Sequence, residues 1–159
     1  MRIYLDVCCL CRPFDDQTSN RIRMETEAVI AILQRCTDTW ILVRSEVIGF
    51  EIDGISHEER RRHVSSLTQF AHEQISLDQD LITRARSFHA QGIDAIDSLH
   101  LACAERSGAV FLTTDDTLIN GIKKHADKIP VEAKNPVQWF MEVTVDGSKD
   151  ASRDQDSGI

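Results

Sequence analysis

Short runs of apolar residues alternate along this chain with longer stretches in which apolar positions recur every three to four residues. Residues 2–7 are apolar on both faces of an extended backbone, which predicts a buried parallel strand. A loop containing Pro13 and the polar run 15–20 follows. Ile22, Thr26, Val29, Ile30 and Leu33 then fall on one stripe, predicting a helix over 22–35. Residues 40–43 read as a second strand, and Ser45 is placed to cap a helix over 46–53. A helix with a charged face is expected over 57–73, and Ile75-Ser76-Leu77 as a short strand. Asp78 opens a helix to residue 90 that Gly92 stops. Further on, a helix over 94–105 closes at Gly108, a strand covers 110–113 and a helix covers 116–125. Residues 129–131 suggest a last edge strand, and Asn135-Pro136 starts a short helix carrying Trp139 and Phe140.

This alternation predicts an α/β class: a three-layer α/β/α domain around a mostly parallel sheet of about four to five short strands. The domain is expected over residues 1–142. Residues 143–159 are Asp-, Ser-, Lys- and Gly-rich and are expected to be a disordered polar tail. The length of 159 residues fits one domain. No apolar run approaches the roughly 20 residues of a membrane span. Asp6 interrupts the N-terminal apolar run too early for a signal peptide, so a cytoplasmic protein is expected.

Five cysteines (Cys8, Cys9, Cys11, Cys36, Cys103) are an odd number without a secretory context. They read as reduced thiols acting as small buried hydrophobes. The net charge of −8 argues against a broad basic surface for nonspecific duplex binding. A local metal cluster or a small basic patch still leaves nucleic acid open as a substrate. The run Glu58-Glu59-Arg60-Arg61-Arg62-His63 reads first as a solvated helical face with local ion pairs.

Asp6, Glu51, Asp97 and Asp115 each adjoin an apolar element. In an open parallel sheet, groups just past the strand ends converge on one crevice. Carboxylates gathered there repel unless a divalent cation joins them. Each has a local competitor. Asp94 is placed to cap the helix that carries Asp97, Asp116 stands beside Asp115, and Glu46 lies in the first turn of the helix that carries Glu51. Asp97 shares a helical face with His100, Leu101 and Ala104, an expensive place for an acid without a partner. His100 itself reads as a packed, hydrogen-bonded core histidine.

Taken together, these residues resemble the PIN domain, the fold of VapC-type toxin ribonucleases and related nucleases, and specifically a stand-alone prokaryotic branch. The resemblance spans about residues 1–142. It is carried by the first strand ending at Asp6, Leu5-Asp6-Val7-Cys8-Cys9-Leu10 with Arg12-Pro13-Phe14-Asp15-Asp16, Ser45 with Glu51, Gly92 before Asp97-Ser98-Leu99-His100-Leu101-Ala102, and Leu112-Thr113-Thr114-Asp115. It implies that Asp6, Glu51, Asp97 and Asp115 form a Mg2+ or Mn2+ site that hydrolyses RNA phosphodiesters, with Asp116, Asp94 and Glu46 as accessory acids. Arg12, in the loop past Asp6, is the candidate contact to a scissile phosphate. The resemblance also implies a homodimer and, for a toxin, an antitoxin protein as partner. Val7 stands where such proteins have Thr or Ser, and Cys8 where toxin members often have Asn. That departure supports an alternative, a weak or inactive PIN-fold module that binds RNA or protein. An aspartyl phosphohydrolase lacks its second acid, since the chain reads Asp6-Val7-Cys8, and the residue set of a phospho-receiver is not found.

Overall fold

A computed structural model of the chain describes the backbone of residues 1–154 and the side chains of residues 1–145. The elements run β1 (Arg2–Leu5), α1 (Val7–Cys11), a 3-10 turn (Arg12–Phe14), α2 (Asn20–Cys36), β2 (Ile41–Ser45), α3 (Glu46–Asp53) and α4 (Glu58–Leu67). A second 3-10 turn (Thr68–Phe70) follows, then β3 (Glu73–Ile75), α5 (Gln79–His89), α6 (Ala95–Ser107), β4 (Val110–Leu112), α7 (Asp116–Lys124), β5 (Ala133–Lys134) and α8 (Pro136–Asp154).

The strands form one sheet in the order β3-β2-β1-β4-β5, with every pairing parallel. The first two crossovers travel from β1 towards β3, and the next two return past β1 to β5. Right-handed crossovers therefore send α2, α3 and α4 to one face and α5, α6 and α7 to the other. This is the three-layer α/β arrangement expected from the alternation. Central strand β1 is buried on both faces, with Ile3 and Tyr4 at 0% exposure. Around it pack Phe88, Leu101, Phe111, Leu112, Ile32 and Ile48, all nearly inaccessible. Helix α8 returns to α2 and closes that face through Trp139, whose ring meets Trp40 edge-on at 5.2 Å.

Several boundaries differ from the sequence expectations. The first strand ends at Leu5, because the Asp6 carboxylate accepts the Val7 amide and starts α1 where a loop was expected. The helix expected over 57–73 stops at Leu67. Its sequence buries only Val64, so the following residues gain more by pairing β3 with β2, Val43 opposite Glu73. The last strand is Ala133–Lys134, not 129–131. Pro130 has no amide to donate to a ladder, whereas Phe111 and Thr113 donate to the Glu132 and Lys134 carbonyls at 2.8 and 3.0 Å. Helix α8 is not short. Its backbone continues to Asp154, through most of the segment expected as a tail, since polar composition denies a core-burying face but does not forbid extending a helix already begun. Residues 155–159 of that expected tail lie outside the described residues. Among the described residues, no helix is long and apolar enough to cross a membrane.

The face of α2 is also rotated from its expected stripe. Ile30 is 43% exposed, while Glu25 is buried at 1%. The Glu25 carboxylate accepts from Arg12 Nε at 3.1 Å, Arg21 Nε at 3.3 Å and Asn135 Nδ2 at 2.7 Å. It thereby ties the turn after α1, the start of α2 and the entry to α8. Replacing Glu25 with Ala leaves these donors facing a void, and Glu25→Ala is expected to destabilise the protein by about 3 kcal/mol. Urea denaturation of the two proteins measures this directly.

Candidate active site

Strands β1 and β4 are neighbours whose outgoing connections leave in opposite directions, which opens a crevice beyond their carboxyl ends. The register sets Leu5 beside Leu112 and so brings Asp6 against Thr113. The Asp6 amide donates to the Leu112 carbonyl at 2.9 Å, continuing the ladder by one bond. Its carboxylate is 7% exposed as a residue and well furnished with donors. Oδ1 accepts from the Val7 amide at 2.8 Å, while Oδ2 accepts from the Thr113 hydroxyl at 2.8 Å and the Cys8 thiol at 3.3 Å. Val7 turns into the core at 8% exposure. The Thr113 hydroxyl, one residue past the neighbouring strand β4, therefore reaches the Asp6 carboxylate, which the Val7 side chain cannot bond.

Glu51 arrives from the other side. Ser45 ends β2 and caps α3 by accepting the Ile48 amide at 3.2 Å, which aims the next turn of α3 at the crevice. There the Glu51 carboxylate is hydrogen-bonded to His100 Nε2. The same nitrogen lies 4.0 Å from Asp6 Oδ1. Asp6, Glu51 and His100 each offer one ligand-type atom, and the three atoms lie within 4.8 Å of one another. His100 is fully buried and hydrogen-bonded, as expected of a core histidine, but it also borders the site. Its Nδ1 lies 2.6 Å from the Tyr4 hydroxyl, which burial holds well above the usual phenol pKa.

Asp97, in the first turn of α6, is half-buried. Burial, and then the charge of Asp6, push its pKa up to about 6, with Asp94 and Asp115 adding to the push and His100 opposing it. Asp97 therefore belongs to the same electrostatic site without joining the close trio. Asp115 is exposed and caps α7, its Oδ1 accepting the Leu118 amide at 3.1 Å. Its own amide donates to the Thr113 hydroxyl at 3.2 Å.

Two of the accessory acids have partners elsewhere, while the charge of Asp94 reaches Asp97. Asp116 is 61% exposed and pairs with Arg21 at 2.8 Å. Glu46 accepts the Leu77 amide at 3.2 Å and fastens the loop after β3. Asp94 holds the N-cap position of α6 without a side-chain capping bond. Arg12, expected at a substrate phosphate, instead gives its guanidinium to Glu25 and to Asp15 Oδ2 at 2.9 Å. Cys9, Cys36 and Cys103 are buried as expected, whereas Cys8 and Cys11 are only partly buried, and the Cys8 sulfur lies at Asp6. Thr113 and Tyr4 escaped the sequence reading. Thr113 had a faint signal, since it follows the strand that faces the one ending at Asp6.

The family model described as PIN domain matches residues 3–124. The chain belongs to the PIN-domain family. Its fold is similar to that of FitAcB from Neisseria gonorrhoeae, with 18% identity, a TM-score of 0.56, and 86% of this chain and 98% of that one covered. VapBC2 from Rickettsia felis, solved with a DNA fragment from their promoter, gives 14% identity and a TM-score of 0.57 over 85% and 98%. VapBC-1 from nontypeable Haemophilus influenzae gives 17% identity and a TM-score of 0.54 over 86% and 98%. No curated protein sequence matches the chain.

The raised pKa of Asp97 has a definite sign in stability. The folded state holds this proton more tightly than the unfolded state, so the associated stability is full below the ordinary carboxylate value of 3.8 and is lost as pH rises through about 6. In EDTA at pH 8, Asp97→Asn is expected to be more stable than wild type by about 1–2 kcal/mol. The difference should shrink towards zero in acid. Denaturation at a series of pH values checks both the size and the direction.

Proposed function

We propose that this protein is a divalent-metal-dependent endoribonuclease, with Mg2+ or Mn2+ held by Asp6 and Asp97 and with Glu51 and Asp115 acting through water or positioning the nucleophile. The observation that carries the reading is the convergence of Asp6 and Glu51 within ligand distance, together with the elevated pKa of Asp97 beside them. The donor set fits such an ion. Carboxylate oxygens suit hard cations, and a cation would offset both the burial and the Asp6 charge that raise the Asp97 pKa. When bound, the ion supplies Lewis-acid stabilisation of charge on the scissile phosphate and on the departing 3′-oxygen.

The chain's own residues do the rest. Thr113 and the Val7 amide hold the Asp6 carboxylate in one orientation. The cap of α7 holds Asp115 at the end of β4. An RNA strand entering the crevice presents a phosphodiester to this acidic rim. A water oxygen attacks phosphorus while a carboxylate of the rim takes the water's proton and passes it to solvent, the bond from phosphorus to O3′ breaks, and the departing O3′ takes a proton from a solvent water. The products are a 5′-phosphate and a 3′-hydroxyl.

The Thr113 hydroxyl on Asp6 supports the enzyme over the inactive binding module, because it restores the support that Val7 cannot give. The FitAcB and VapBC neighbours support a further step, in which this chain is the toxin of a toxin–antitoxin pair with an antitoxin protein as partner, and a homodimer is proposed from the family resemblance alone. Cleavage of a mixed single-stranded RNA pool is expected with Mn2+, blocked by EDTA, and reduced about 100-fold or more in Asp6→Asn and Asp97→Asn. Full activity in Asp97→Asn would falsify the assignment, and RNA binding that ignores EDTA and yields no product would establish the binding module. Expression of the chain is expected to arrest growth, with relief when the adjacent gene is co-expressed. Light scattering of the purified chain should give the mass of a dimer.

A further inference from the structure

Behind Glu51 a line of hydrogen bonds crosses the core. The Ile48 amide donates to Ser45 Oγ at 3.2 Å, Ser45 Oγ lies 2.6 Å from the Tyr4 hydroxyl, that hydroxyl lies 2.6 Å from His100 Nδ1, and His100 Nε2 meets Glu51 Oε1. Tyr4, Ser45 and His100 are each 0% exposed, so their protons are placed by one another and not by bulk water. An ionised Glu51 only accepts, so Nε2 carries the proton between them. The Nδ1 of a neutral imidazole is then bare and accepts from Tyr4. The Tyr4 oxygen accepts in turn from Ser45, whose oxygen accepts from Ile48. Each donor in the line is used and points towards Glu51, and the Cys103 thiol lies against Ser45 and Tyr4 beside it.

Glu51 needs such a hold. Its side chain is 34% exposed on a short helix and would otherwise sample several rotamers at the crevice. We infer that Tyr4 and His100 are positioning residues that fix the Glu51 carboxylate for a divalent cation, with His100 acting as a hydrogen-bond donor to Glu51 and not as a nitrogen ligand. This rests on the metal-dependent reading of the site. It assigns the buried side of the trio to support and the carboxylate side to the ion. Removing an outer partner of a carboxylate that serves the ion, here through its water, weakens metal binding by about 10- to 100-fold.

The test uses the full chain and Mn2+. Long-range proton–nitrogen NMR of the metal-free wild type is expected to show His100 with a proton on Nε2 and none on Nδ1. Electron spin-echo spectroscopy of the Mn2+-loaded wild type should show no coupling to a directly bound imidazole nitrogen. Tyr4→Phe keeps the ring against Phe111 and His100 and removes one oxygen. At a temperature where circular dichroism shows both proteins folded, its Mn2+ dissociation constant should rise about 10- to 100-fold. An Nδ1–H tautomer, a bound-nitrogen coupling or an unchanged Mn2+ affinity in Tyr4→Phe overturns the inference while leaving the metal site standing. A wild type that shows the Nε2–H tautomer but binds no Mn2+ overturns the metal reading, and with it the purpose given to the line.

Discussion

Repulsion among carboxylates at the carboxyl end of β1 is the constraint around which this molecule is arranged. Asp6, Glu51, Asp97 and Asp115 come from four different segments; the fold brings Glu51 and His100 to Asp6, and places Asp97 within reach of the charges of Asp6 and Asp115. Each is restrained in its own way. Asp6 accepts from an amide, a hydroxyl and a thiol, Glu51 is bonded to His100, and Asp115 caps a helix. Asp97 is half-buried in the first turn of α6, and burial first and the charge of Asp6 second push its pKa up to about 6.

Holding these groups together requires a rigid base. Strand β1 supplies it from the middle of the sheet, with parallel partners on both sides and apolar residues on both faces. The same strand carries Tyr4, whose ring is packed against Phe111 and whose hydroxyl faces His100. One strand thus delivers a carboxylate past its end and a polar anchor from its interior. Glu25 does comparable work on the opposite side of α1 by binding Arg12, Arg21 and Asn135. Arg12 is engaged there through Nε, and with Asp15 through Nη1, and so serves the architecture around the crevice.

The α/β class and most element positions were legible because apolar periodicity is a local property. Ser45 as a cap, Gly108 as a helix stop with positive φ of 66°, and the run 110–112 as a buried strand all follow from neighbours in sequence. The rival acids were harder to separate. Asp115 and Asp116 are both suitable caps by type, and only the packing of α2 against the loop brings Arg21 to Asp116. The third member of the close trio was unreadable in its role, since a histidine on an apolar helical face looks the same whether or not its far nitrogen reaches a carboxylate 49 residues away.

By itself, the order of residues determined which segments become strands and helices, and that acids would stand just beyond the strand ends, because these depend on hydrophobic spacing and on capping chemistry a few residues in length. Tertiary structure alone decided which acids meet. The sheet order sets Thr113 beside Asp6, and the crossing of α3 and α6 sets Glu51 on His100. Hydrogen bonds and charge repulsion act over a few ångströms of space, and distances that short between residues so far apart in the chain exist only after the sheet has closed.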